Sequence, residues 1–285
     1  MLNISIIGFG RVGSHLYYAL KKSRKVKLRT VIKNSRSKID AKGLSSSDVI
    51  FICTSDKKIG AAASKLLQSG AKIKNKIIFH TSGAKNSDAI KALKKAGANT
   101  GSFHPVQTFV RVAKRSSGSF ENIFIALEGD AESIKTGAGI AHLIKSKPLK
   151  LTKEQKVLNH ICCVISANYL VALMRNTEDL FGKIKNNGIL KNGFKDINFF
   201  DIYKPLIVQT LRNIAKIGPI SSLSGPIERN EQETLLLHLQ AIKKKAPELL
   251  PIYIFMGIET VKTALEKKSL SKPDALNLIK LLNKY

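Results

Sequence analysis

Three glycines near the start of the chain, Gly8, Gly10 and Gly13, stand in a G-x-G-x-x-G pattern, with Arg11 and Val12 between the last two. An apolar run from Leu2 to Gly8 precedes them and a segment of helical spacing, Val12 to Lys22, follows. In that strand-to-helix setting the pattern has a physical meaning. The first glycine allows a tight turn, the second lets backbone approach a pyrophosphate, the third lets helix and strand pack closely, and the helix N-terminus offers free N–H groups to the anion. A dinucleotide site is expected at Gly8, Gly10, Arg11, Val12 and Gly13. The residues about twenty positions beyond the last glycine choose the dinucleotide, because a carboxylate there accepts from the ribose hydroxyls of NAD. Here the stretch reads IKNSRSK, Ile32 to Lys38. Asn34, Ser35 and Arg36 offer donors and a guanidinium suited to a 2′-phosphate. NADP is therefore the expected cofactor, with NAD as the alternative.

Two further sets of polar residues could do chemistry. Lys156, His160, Val164 and Asn168 recur every four residues, so a helix would carry them on nearly one face among apolar neighbours, where polar groups need partners or a ligand. Arg229 follows a Gly-Pro pair and is the last arginine of a chain that otherwise uses lysine for positive charge. Its planar fork suits a carboxylate or phosphate, so it reads as an anchor for an anionic substrate or as half of an interdomain salt bridge.

The elements that must position these residues fall into two halves. From residue 1 to about 150, short apolar runs alternate with helical spacing: Val26 to Ile32, Asp48 to Ser55, Lys76 to Gly83, Asn99 to Val106, Asn122 to Asp130 and Pro148 to Leu151 as strands, with helices at 58–68, 86–95 and 132–144. Such alternation predicts a mostly parallel sheet with helices on both faces. After Thr152 the chain turns helical, over 154–181, 202–217, 232–245, 247–267 and 272–283, with glycine- and asparagine-rich loops at 183–198 and 218–230. The fold class is α/β followed by all-α, divided as 1–152 and 153–285.

Composition bounds what this can be. The 285 residues carry 48 Lys plus Arg against 20 Asp plus Glu, a net +28. Lysine outnumbers arginine 39 to 9 and is spread along the chain, while aromatics are 6% with no Trp, which argues against a dedicated nucleic-acid surface and suits a small anionic substrate. The three cysteines, two of them the adjacent Cys162 and Cys163, make neither a disulfide framework nor a metal site. No leader is recognised, and no uncharged stretch of the roughly 18 residues needed to span a membrane is expected, so the chain reads as cytoplasmic. His15, His142 and His238 read as surface or packing residues, whereas His80 could serve the cofactor or the core.

Five blocks, GFGRVG, HTSGA (80–84), GSFHPVQTF (101–109), NHICCVISANYLVAL (159–173) and SLSGPIERNEQET (222–234), resemble in that order the Rossmann-like family that carries domain of unknown function 2520. That family is similar to the wider 6-phosphogluconate dehydrogenase, ketopantoate reductase and pyrroline-carboxylate reductase superfamily. The resemblance implies a Rossmann NAD(P)-binding domain, a helical 6-phosphogluconate-dehydrogenase-like C-terminal domain that makes a homodimer, and an active site in the cleft between. The family's usual Arg-Gly-Asp is here Arg229, Asn230, Glu231, which loses the glycine's freedom at that turn. Prephenate dehydrogenases, more distantly similar, place a serine after one strand and a His-Pro after the next. Ser82 and His104-Pro105 stand in matching places, which implies His104 as the proton-exchanging group with Ser82 orienting it. Superfamily relatives carry Lys-x-x-x-Asn on the first long helix, matched in part by Lys156, His160 and Asn168.

The reading is an NADP-dependent oxidoreductase acting on a C–O bond, with His104, Ser82, His160 and Asn168 catalytic and with Arg229 and Lys156 holding a small anionic substrate. A cyclic imine is the nearest enzymatic variant. The competing class is a non-catalytic NADP-binding or regulatory protein.

Overall fold

The structure is a computed structural model that describes residues 1–34, 37, 39–110, 117–186 and 198–285. They form two compact units, Met1–Tyr169 and Leu170–Tyr285.

The first unit runs β1 (Leu2–Ile7), α1 (Arg11–Lys21), β2 (Val26–Ile32), α2 (Ala41–Ser45), β3 (Val49–Ile52), α3 (Ile59–Gln68), β4 (Ile77–His80), α4 (Lys91–Lys95), β5 (Asn99–Pro105), β6 (Phe124–Gly129), α5 (Ala131–Leu143), β7 (Lys147–Lys150) and α6 (Lys153–Cys163). Its sheet has the order β2-β1-β3-β4-β5-β6-β7 and is parallel except where β5 meets β6. Side chains alternate across a strand, and a sheet covered on both faces buries both sets. Phe51, Phe79 and Phe103 stack on one face against α1 and α5, through Leu16, Leu20 and Ile140. Ile50, Ile52 and Ile78 pack on the other, against Ile59, Ala63 and Leu66 of α3 and Leu93 of α4. With both faces covered, the carboxyl ends of β1, β3, β4 and β5 are the edge left for a ligand.

The expected elements are present to within a few residues, with local differences. The helix expected over 86–95 divides into a tight turn at Ser87–Ile90 and α4, because the Asn86 side chain accepts from Asp88 N and starts a 3₁₀ turn. Helix α2 was not expected. Asp40 caps it by accepting from Gly43 N at 2.8 Å. The first compact unit also reaches past the expected boundary at 152. Helix α6 stays with the sheet because Lys156 reaches the Ser82 carbonyl.

The second unit comprises α7 (Leu170–Asn186), α8 (Phe199–Ser221), α9 (Gln232–Lys245), α10 (Leu250–Glu266) and α11 (Lys272–Asn283), with no strand among its described residues. Leu235, Leu239, Val261, Ala264, Leu278 and Leu282 form its core. Gly218 at φ +80 ahead of Pro219 interrupts α8. Asn230 takes the left-handed region at φ +57, a conformation that asparagine adopts more readily than most side chains.

One expectation needs correction. Residues 157–174 carry no charge, and the helical run Lys153–Ile184 is long and apolar enough, by length and composition, to cross a membrane.

Candidate active site

The open edge of the sheet is built by turns that leave particular strands. After β1 the chain turns at Gly8 (φ +102), whose Cβ would lie 2.6 Å from the Cys53 carbonyl oxygen. A Cβ on Gly13 would meet the Gly8 carbonyl oxygen at 2.1 Å, so glycine alone lets α1 start this close to β1 and β3. Gly10 is different, with nothing within 4 Å of its Cβ position. It caps α1 with no side-chain hydrogen bond and no acidic residue in the first turn, leaving the helix N–H groups to an incoming anion. These three environments match the three roles that the spacing implied.

Two cavities open on this edge. One, of about 700 Å³, is walled by Gly8, Gly10, Asn34 and Ser37 and by the α3 side, where Lys58, Ala61, Ala62 and Lys65 recur at helical spacing. Lys33 completes its cationic wall, and no carboxylate lines it among the described residues. The other, of about 620 Å³, is walled by Arg11, Asp56, Ser82, Gly83, His104 and His160 among others. Gly10, Cys53, Thr54 and Ser55 belong to both walls. The hydroxyl of Thr54 is buried there without a hydrogen-bond partner. Lined by the small Ala61 and Ala62 and by Lys33, Lys58 and Lys65, the first cavity fits an adenosine phosphate, while the second holds the histidines and Asp56. The residues fit an NADP molecule lying along the edge.

The second cavity rests on a dense network around Ser82. The Ser82 hydroxyl donates to Asp56 Oδ2 at 2.8 Å and accepts from Lys85 N at 3.0 Å. Its carbonyl accepts from Lys156 Nζ at 2.8 Å and from Ser102 Oγ at 3.3 Å, and its N–H donates to His80 Nδ1 at 3.2 Å. His80 in turn donates from Nε2 to the Asn86 carbonyl at 2.9 Å, so its two partners fix the neutral tautomer. Burial pushes His80 down to about 4. Gly83 comes next, where a Cβ would sit 2.1 Å from His160 Cδ2 and 2.8 Å from His104 Nε2. The two imidazoles stack with centroids 5.7 Å apart and planes 17° from parallel. His104 is pushed down to about 3, first by burial and then by the positive charge of Lys156, and its Nδ1 is buried with no partner. Lys156 is 1% exposed, and burial lowers its ammonium to about 8 against the pull of Glu128 and Asp56.

Residues 123–260 match the family described as domain of unknown function 2520. The matched stretch begins at β6 in the sheet unit and ends within α10, so it takes in Lys156 and His160 while Ser82 and His104 lie ahead of it. No curated protein matches the chain. Among solved structures, the chain is similar to Bacteroides fragilis BF3122, provisionally described as an NADP oxidoreductase, at 19% identity and TM-score 0.67 over 90% of this chain and 96% of that one. It is similar to protein TM1727 of Thermotoga maritima at 18% identity and TM-score 0.58, over 99% and 98%. It is also similar to Plasmodium falciparum pyrroline carboxylate reductase, solved with NADP bound, at 11% identity and TM-score 0.52 over 98% of each. At these identities the likeness shows the fold, a Rossmann sheet unit followed by a helical one.

Of the residues singled out in the sequence, Gly10, Arg11, Val12, Ser82, His104 and His160 line the second cavity, and Gly8 and Asn34 line the first. Gly13 packs beneath the loop, and Ser35 and Arg36 lie outside the described residues. Ser82 does not orient His104, because its hydroxyl belongs to Asp56. Lys156 is not on the cavity wall but buried behind it. Asn168 is exposed and absent from the wall, because the turn Val164–Tyr169 is a wider π turn that rotates it off the line of Lys156 and His160. Arg229 is bound locally, donating from Nε to Glu231 Oε1 at 2.6 Å. The sequence reading passed over Asp56, Gly83, Lys33, Lys58 and Lys65. Asp56 follows β3 as Ser82 follows β4, so the rule that ligands gather at the carboxyl ends of strands could have found it.

Proposed function

We propose that the chain is an NADP-dependent oxidoreductase that moves a hydride to or from a C–O bond of a small anionic substrate. The observation that carries this reading is that the two cavities share Gly10 and Cys53–Ser55, so a dinucleotide laid over the glycine turn has its adenosine end among lysines and its other end at His104 and His160. NADP, when bound, supplies or accepts the hydride. The chain's own residues do the rest. Gly8, Gly10 and the start of α1 hold the pyrophosphate. Lys33, Lys58 and Lys65, with Asn34 and Ser37, surround the 2′-phosphate. Arg11 is the cation on the second cavity's wall that would meet an anionic substrate. His104, kept neutral at physiological pH, accepts the proton of a substrate hydroxyl, or returns it in the reverse direction, with His160 stacked behind it.

A C=N bond is the second reading. The Asp56 carboxylate on the same wall favours it, because it offers a counter-charge to a protonated imine. The helical unit forms a homodimer through its exposed apolar side chains, and the run Lys153–Ile184 serves packing rather than membrane insertion. That run carries Lys156 and His160 into the sheet unit's network, which a lipid environment would disrupt. The protein works in the cytoplasm and has no specific nucleic-acid partner.

Nicotinamide-fluorescence titration tests the cofactor. NADPH binds more tightly than NADH, and a Lys33→Ala/Lys58→Ala variant loses that preference by about 1.5 to 3 kcal/mol, the worth of a charge-assisted phosphate contact. Equal affinities for the two in the wild type contradict the choice of NADP.

A further inference from the structure

Lys156 is the largest charged side chain in the buried core, and its charge is not cancelled by contact. Its Nζ donates to the Ser82 carbonyl, and no ion pair joins it among the described residues. The nearby acids are already engaged. Both Glu128 oxygens accept from Ser87, one from N at 2.7 Å and one from Oγ at 2.8 Å, and Asp56 Oδ2 takes the Ser82 hydroxyl. An ammonium held this way costs several kcal/mol of desolvation, so its field must fall on something that uses it. The rings of His104 and His160 lie against Gly83, one residue beyond the carbonyl that Lys156 holds.

We propose that Lys156 is a positioning residue that does not touch substrate: bound to the Ser82 carbonyl, its buried ammonium adds to burial in opposing a second positive charge on the His104 ring, which stacks on His160. Several charged or titratable groups surround that ring. Lys156 and His160 come from α6 and His80 from β4, all three disfavouring a charge on His104. Arg11 at the start of α1 and Asp56 after β3 share its cavity wall, and Glu128 on β6 acts on Lys156. The acids are engaged elsewhere, Asp56 Oδ2 by the Ser82 hydroxyl and both Glu128 oxygens by Ser87. Lys156 is anchored on a backbone carbonyl rather than on a carboxylate, so no direct ion pair cancels its charge among the described residues. The inference rests on the proposed function for its purpose, a neutral proton-exchanging group at the reacting bond. Its existence can be measured without cofactor or substrate.

Ring-proton NMR titration of the full-length protein with isotope-labelled histidine provides the test, on wild type, Lys156→Met and Lys156→Arg. His104 of the wild type stays neutral down to at least about pH 5, well below the ordinary histidine value of about 6.5. Lys156→Met moves its titration upward by about one unit or more, the effect of removing a neighbouring like charge, and Lys156→Arg keeps it low. A merely structural lysine would not make the shift follow the charge. A wild-type His104 that titrates near 6.5 overturns the inference even if the methionine variant does not fold, as does an unmoved titration in a folded Lys156→Met. Dinucleotide binding is followed in the same samples. A charge-dependent shift in a protein that binds neither NADPH nor NADH supports the role of Lys156 and removes the oxidoreductase reading.

Discussion

His104 and His80 are both deeply set imidazoles, and they are held by different means. His80 has a partner on each nitrogen, whereas His104 has a buried Nδ1 with none and a wall position that leaves the ring facing the cavity. The first is held by its neighbours, and the second is the one we propose for exchange. At about 4 and about 3, both remain unprotonated in the fold at pH values where the unfolded chain, near 6.5, has bound protons. The unfolded state therefore binds more protons below about pH 6.5, and stability falls as pH drops towards the folded values, by at most about 1.4 kcal/mol per histidine per pH unit. His104→Asn tests both roles at once. It removes one of the two protons, so denaturant melts at about pH 5 lose less stability relative to neutral pH than the wild type does. With a turned-over substrate in hand, it lowers the rate by about 10² to 10⁴, because the amide hydrogen-bonds without exchanging a proton. Near wild-type turnover would transfer the proton-exchanging role to His160.

Among the elements, the β1-turn-α1 unit is where sequence and packing agree most closely. Gly13 is in contact with backbone that cannot yield, and Gly10 faces open space. Alanine should separate the two. Gly13→Ala forces α1 away from the Gly8 carbonyl and lowers stability by about 1 to 3 kcal/mol, the usual cost of overpacking. Gly10→Ala leaves the melting temperature close to the wild type and weakens NADPH binding instead, because the new methyl occupies the approach to the helix N-terminus. Thermal melts alongside nucleotide titration read both, and a Gly10→Ala protein that binds NADPH normally argues against the pyrophosphate position. Helix α3 complements this unit. Its Lys58, Ala61, Ala62, Lys65 side is small in the middle and cationic at the ends, a shape matched to a flat base carrying a phosphate.

The whole molecule leaves much apolar surface uncovered in its helical unit. Val171, Leu206, Leu237 and Phe255 are each more than 60% exposed, and α8 adds Leu211 and Ile217. Scattered exposure of this kind is ordinary, but Ile202, Leu206 and Ile217 fall within about 60° of one another around α8 and form an exposed stripe. A second copy is the partner we expect, since an isologous contact covers the same stripe on both chains. Light scattering at micromolar concentration should give twice the 31.3 kDa chain mass, and Leu206→Glu should shift it to the monomer. A wild-type monomer contradicts the dimer. The net charge of +28 acts at the same scale, drawing anionic ligands towards cavities whose walls are already basic.

Much of the fold was legible in the residues. The seven strands follow from short apolar runs bounded by turn residues, and β2 and α11 fall on the very residues the pattern marked, because strand and helix periodicity are local properties of the chain. The turn at Gly8 and the tight packing at Gly13 were legible too, since each is set within a few residues. The expectations that failed needed contacts across distance or a departure from ideal geometry. Asn168 left its line through one π turn, which four-residue spacing does not show. Asp56, Ser82, Gly83, His104, Lys156 and His160 come from four separate stretches of chain, and what joins them is the order β3-β4-β5 together with the packing of α6 on that edge. Residue types determined what each could do, but only the tertiary structure decided which would meet, because strand order and helix docking are settled by burial of the whole sheet rather than by any local spacing.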